Sequence, residues 1–230
     1  MKHPVRGFTL VEMAMVLLVI GLLLGGLIAP LGNQLEQRRV TDTRNGLEDI
    51  KEALLGYAAI HGRLPCPSTQ ADPANAAYGM PDAAASPCPN KEGFLPWRVL
   101  DVPEIDAWGA RRTTAAAAWN GYWRYRVHDS FAAAAGIATT TAAPAGDYLR
   151  VRNSAGQALT PTTGPSDTPV AIVFSRGPNF TSDGQNASYE ATNGIYQADA
   201  ESSNFDDITT WISRPALINR LIAANKLAAP

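Results

Sequence analysis

From Met13 to Leu31 the chain runs without a charged residue, and one carboxylate, Glu12, stands at the head of that run. About 20 apolar residues are what a helix needs to cross a bilayer core. A helix that is apolar all round must lie in lipid or among other helices. A carboxylate at membrane depth costs roughly 2.5–3.5 kcal/mol on insertion scales, so Glu12 is expected to be functional and to need a positive partner. Lys2 and Arg6 precede the run, which keeps the leader cytoplasmic and sends the remainder across. An ordinary secretory signal has an h-region of about 7–15 residues and no acid near its start, so that reading fails. A plain membrane anchor fits the length but gives no reason for Glu12 or for the Gly7-Phe8 junction.

A cut after Gly7 would place a new ammonium group on Phe8, one helical turn from Glu12. The same ammonium on a neighbouring copy could pair with that carboxylate. The stretch Gly7-Phe8-Thr9-Leu10-Val11-Glu12, followed by the apolar helix, resembles the class III signal of type IV pilins and type II secretion pseudopilins. The resemblance implies cleavage by prepilin peptidase between Gly7 and Phe8, N-methylation of Phe8, and a role for Glu12 in filament assembly. It implies an α+β pilin fold: a long N-terminal helix, half of it transmembrane, packed on an antiparallel sheet, with long loops and a C-terminal helix. The implied partners are other pilin or pseudopilin subunits, the peptidase, an inner-membrane assembly platform and the inner membrane of a Gram-negative bacterium. The expected organisation is a leader over 1–7, a transmembrane and assembly helix over 8–35, an amphipathic continuation over 36–62 and a globular periplasmic domain over 63–230.

Gly25, Gly26, Pro30 and Gly32 are helix breakers. They are expected to interrupt the long helix, and in pilins comparable residues melt locally when the subunit leaves the membrane. Beyond them Val40, Leu47, Ile50, Leu54 and Tyr57 recur at helical spacing and predict a stripe that packs on a sheet. Gly62 is the expected C-cap.

Arg63 to Pro96, with seven prolines, predicts an irregular connection. Asp106-Ala107-Trp108-Gly109 and Tyr122-Trp123-Arg124-Tyr125 resemble the D-x-W-G and Y-R-Y pieces of pseudopilins and minor pilins, here parted by the insert 110–121. Alternation over Trp119–His128 predicts a half-buried strand, with Trp119, Trp123, Tyr125 and Val127 inward and Tyr122, Arg124, Arg126 and His128 outward. Tyr148–Arg152 is a second strand, Pro169–Phe174 a buried central one, and Ile208–Ile212 a short one. Phe131–Gly146 and Pro178–Ser203 are expected loops. Ser213 and Pro215 open a terminal helix to about Lys226, with Leu217, Ile218, Leu221 and Ile222 as its buried stripe.

The net charge of −2, more negative once Lys2 and Arg6 are removed, gives no basic stripe for nucleic acid. Cys66 and Cys88 lack the spacing of a metal or redox pair, and the leader places them in an oxidising compartment, so a disulfide is expected. His128-Asp129-Ser130 has the residue types of a catalytic triad, but strand neighbours diverge where a triad must converge. No phosphate loop or zinc spacing occurs, so neither enzymatic activity nor a cofactor is expected. Hard cations want several oxygens, and Asp183, Asp199 and Glu201 in the late polar loop, with Glu190, are the calcium ligands to weigh against an ordinary solvated loop. A comparable late loop of major pseudopilins carries such a site.

Overall fold

The computed structural model describes residues 7–82, 88–144, 146–161, 164, 167–188 and 194–227, with the side chains of 24–31 and 33 excepted. The chain divides into two units, Met1–Thr41 and Asp42–Pro230. Helix α1, Leu10–His61, spans nearly the whole of the expected 8–62 and is continuous, so the breakers between Gly25 and Gly32 do not interrupt it as was expected. Glycine weakens a helix by about 1 kcal/mol and proline removes one backbone bond. Gly62 closes α1 as expected, at φ +72° and with its N–H on the Ala58 carbonyl at 2.7 Å.

In the first unit, the described apolar side chains from Leu10 to Leu23 are exposed. Among the described residues no helix is long and apolar enough to cross a membrane. The expected span over 8–35 rests in part on the side chains of 24–31, which lie outside the described residues, as does the leader through Arg6.

The second unit is built on a four-stranded antiparallel sheet in the order β1-β2-β4-β6, formed by Glu92–Phe94, Arg124–Val127, Pro169–Ser175 and Ile208–Ser213. Strand β4 is buried along its whole length, as a central strand with both faces covered must be. On the inner face Tyr125, Val127, Ala171, Val173 and Ile212 share one core with Leu47, Ile50, Leu54 and Ala58 of α1 and Leu217 and Leu221 of helix α4, Arg214–Ala223. Leu47, Ile50 and Leu54 thus bear out the expected stripe. A Cβ on Gly46 would come within 3.3 Å of the Trp123 ring, so the bare backbone there lets the indole lie against the helix. Ser213 caps α4 by accepting the Ala216 N–H. The Cys66–Cys88 disulfide is formed, and both cysteines belong to this core.

The outer face differs from expectation. A second sheet, parallel and two-stranded, pairs β3, Arg150–Arg152, with β5, Ile195–Gln197. Its Leu149, Val151 and Tyr196 cover Ile172 and Phe174. Arg126 and His128, expected outward, are each 3 % exposed, and Arg124 is paired with Glu92 at 2.8 Å. Trp119 leaves the predicted inner row and stacks on Phe94, 3.7 Å between centroids, beside Tyr78, Trp97 and Tyr122 in a third cluster. Strand β5 and a 3-10 turn, Gly184–Ser188, lie inside the expected loop 178–203. Strand β1 lies inside the expected irregular stretch, and α3, Asp129–Ala132, runs into the expected loop 131–146. Each is too short to show a period.

The D-x-W-G piece makes a knot. The Asp106 carboxylate accepts from the Trp108 N–H at 3.0 Å and from the Ser175 hydroxyl at 2.6 Å, the latter joining it to the end of β4. Burial raises its pKa. Gly121 crosses this knot at φ +73°, and a Cβ there would lie 2.1 Å from the Gly109 Cα. We therefore expect Gly121→Ala to destabilise the chain by well over about 1 kcal/mol. Gly156→Ala, at φ +78° with nothing within 4 Å, tests the backbone conformation alone and should cost clearly less. Equal losses in urea unfolding would show that the crossing does not depend on bare backbone.

Candidate functional site

The first candidate is the helix front. Thr9 precedes the first turn of α1 and Glu12 lies within it. The Glu12 carboxylate accepts both the N–H and the hydroxyl of Thr9 at 2.9 Å, and the Thr9 hydroxyl accepts the Glu12 N–H at 3.3 Å. This is a capping box, in which two otherwise unpartnered helix-end donors are satisfied reciprocally. The spacing Thr-x-x-Glu was present in the sequence as a sufficient signal for it, and the role of Thr9 was not anticipated. Gly7 and Phe8 lie ahead of the helix, and Phe8 is 81 % exposed. The peptide bond between them is thus outside regular structure, and the side chains beyond it form an open apolar surface.

The second candidate is acidic. Asp183, Asp206 and Asp207 bring carboxylate oxygens within 4.8 Å of one another. The backbone ties them crosswise: Asp183 N–H donates to Asp207 at 2.8 Å and Asp206 N–H to Asp183 at 2.9 Å. Asn186 Nδ2 donates to the same Asp207 oxygen at 2.9 Å. The other oxygen of Asp207, on a residue 3 % exposed, has no hydrogen-bond partner, nor has Asp206 Oδ1. Burial and the neighbouring carboxylates raise Asp207 to about 7, and burial with the charge of Asp183 raises Asp206 to about 6.

Of the three expected cation ligands only Asp183 is in this group. The Asp199 carboxylate is taken up by the Ser154 N–H and the Gln197 amide. Glu201 is exposed, and Glu190 lies outside the described residues. Asp206 and Asp207, just ahead of β6, are the carboxylates that loop closure brings to Asp183. An all-oxygen set with two unpartnered buried acceptors suits a hard divalent cation in donor type.

The histidine motif does something else. His128 Nδ1 accepts the Ser130 N–H at 3.2 Å, capping α3, while its Nε2 faces Asp147 at 3.5 Å. Imidazole and Ser130 are thus joined through the backbone rather than through the hydroxyl.

Residues 2–28 match the family model of the prokaryotic N-terminal methylation motif. Those residues carry the class III prepilin signal found in type IV pilins and pseudopilins. That match, the class III prepilin signal, sits on the Gly7-Phe8 junction and the capped Glu12. The α+β architecture, with an N-terminal helix, an antiparallel sheet and a C-terminal helix, is consistent with a pilin fold. No curated protein and no solved structure matches the chain.

The acidic group gives a pH test. A carboxyl whose folded pKa lies above its unfolded value near 3.9 contributes stability below that value and loses it as pH rises through the folded pKa. The melting temperature of chelated wild-type protein, relative to Asp207→Asn, should therefore fall between about pH 4 and pH 7. Taking the difference cancels His128, whose burial-lowered pKa acts in the opposite direction. A flat difference would mean that Asp207 is not held protonated.

Proposed function

We propose that the chain is a minor pilin of a type IV pilus. It is cut by prepilin peptidase between Gly7 and Phe8, methylated on Phe8, and assembled through its N-terminal helix with other pilin subunits. The observation that carries this reading is the match over 2–28 on a helix whose described apolar front is open. In the membrane the Thr9 cap shelters Glu12 within its own helix. Once the neighbour's Phe8 amine is free, a low-dielectric setting makes the charge pair stronger, and the carboxylate exchanges a neutral partner for a cationic one. The single-pass chain rests in the inner membrane with residues 63–230 in the periplasm until the assembly platform extracts it.

A pseudopilin of type II secretion is the second reading, favoured by the D-x-W-G knot. Pilus or secretion genes beside its own would separate the two. A membrane-anchored binding module that never polymerises would give no helix-to-helix cross-links. In cells, Glu12→Ala should be processed normally yet enter filaments poorly, with Gly7→Val as the unprocessed reference on an immunoblot. Normal incorporation of Glu12→Ala would remove the proposed mechanism.

We also propose that Asp183, Asp206 and Asp207 hold calcium. A bound cation would supply the positive charge that the two unpartnered oxygens face and keep the loop closed at neutral pH. Adding calcium to chelated protein at pH 7.5 should raise the melting temperature of the wild type and leave Asp207→Asn unchanged. No rise in the wild type would dismiss the site.

A further inference from the structure

Helix α2, Trp97–Leu100, the segment between the cysteines and the insert 110–121 together line a groove of about 680 Å³, within the usual size of a ligand site. Its lining includes Tyr78, Trp97, Arg98, Glu104, Arg111 and Arg112. Arg112 is the unusual member. It is 6 % exposed, with its guanidinium carbon over the Trp119 ring, 3.7 Å from the centroid. Nη2 donates to the Ala115 carbonyl. Nε and Nη1 are buried and have no hydrogen-bond partner, and among the described residues no carboxylate lies within ion-pair distance.

The nearby acid is committed elsewhere. Glu104 accepts from the Tyr122 hydroxyl at 3.2 Å, which accepts in turn from the Tyr78 hydroxyl at 2.7 Å and from the Arg112 backbone N–H at 2.9 Å. Its remaining ion pair is with Arg111 at 3.4 Å. Arg98 Nη1 donates to the Ala76 carbonyl at 2.9 Å and to the Tyr78 carbonyl at 3.4 Å. A buried guanidinium without a counter-charge is unfavourable unless something completes it. In this groove an incoming anion would do so.

We propose that the groove binds an acidic side chain of a partner polypeptide, with Arg112 as its counter-charge. Three arginines outnumber Asp101 and Glu104 along the lining, which favours an anion. Those two carboxylates would repel a dianionic phosphate more strongly than a singly charged carboxylate. Trp97 and Tyr78 are 5 % and 8 % exposed and present no open ring face on which a sugar could stack. The groove lies wholly within the second unit, and its use does not depend on whether the chain polymerises.

The test uses the full chain in detergent micelles and follows tryptophan fluorescence, since Trp97 lines the groove and Trp119 underlies Arg112. The probes are acetyl-Ala-Glu-Ala-amide, its Gln counterpart, tri-galacturonate and inorganic phosphate. We expect saturable binding of the Glu peptide, at least about tenfold weaker binding of the Gln peptide, and loss of the difference in Arg112→Gln. The Glu-against-Gln comparison is made on the wild type, so it holds even where the variant fails to fold. Equal binding of the two peptides, or no saturable response to either, would overturn the assignment. Preferential binding of tri-galacturonate or of phosphate would replace it with a glycan or a general anion site.

Discussion

One helix has to satisfy two solvents, and that requirement governs the rest of the chain. The described part of α1 up to Leu23 offers apolar side chains to its surroundings, and from Thr43 the same helix turns an apolar stripe into the core of the second unit. The two stretches want different things from sequence. The first must be apolar on every side, and the second only on one. A composition that switches within one continuous helix lets a single element serve both.

The second stretch sets the plan of the domain. Leu47, Ile50 and Leu54 take one face of the sheet, and α4 shares that face from the other end of the chain. The remaining face is left to a small parallel sheet whose strands, β3 and β5, are far apart in sequence. Burial on both sides explains why β4 is apolar from Pro169 to Phe174 and why arginine on β2 is enclosed rather than solvated. Asp106 then joins the insert region to the end of β4 through Ser175, so the D-x-W-G motif serves as a joint.

What could be read beforehand followed strength of period. The amphipathic half of α1, strand β4 and the capped terminal helix each carry enough repeats for the pattern to stand out, and the disulfide followed from compartment. Strands of three residues such as β1 and β5 hold less than two periods and disappear into loops. Arg126 and Trp119 were misassigned for another reason: alternation tells which residues share a face, not what lies over it. The acidic group was missed in part because its carboxylates stand more than twenty residues apart and meet only through closure of the loop. The Thr-x-x-Glu spacing that makes Thr9 a cap is local and stands in the sequence, where the charge of Glu12 is the louder signal.

The reciprocal cap at Thr9 has an electrostatic corollary. Backbone dipoles leave the leading end of a helix partly positive, and a cation placed there is disfavoured. A severed Gly7-Phe8 bond would set a full positive charge on that end, and methylation would not remove it. Glu12, the sole acid in the first turn, is then the only local group able to counter both the dipole and the new terminus. On the proposed reading, a freshly trimmed monomer would start from a loosened tip, and docking beside a sister carboxylate would tighten it, so that joining a polymer would also complete the folding of the helix end.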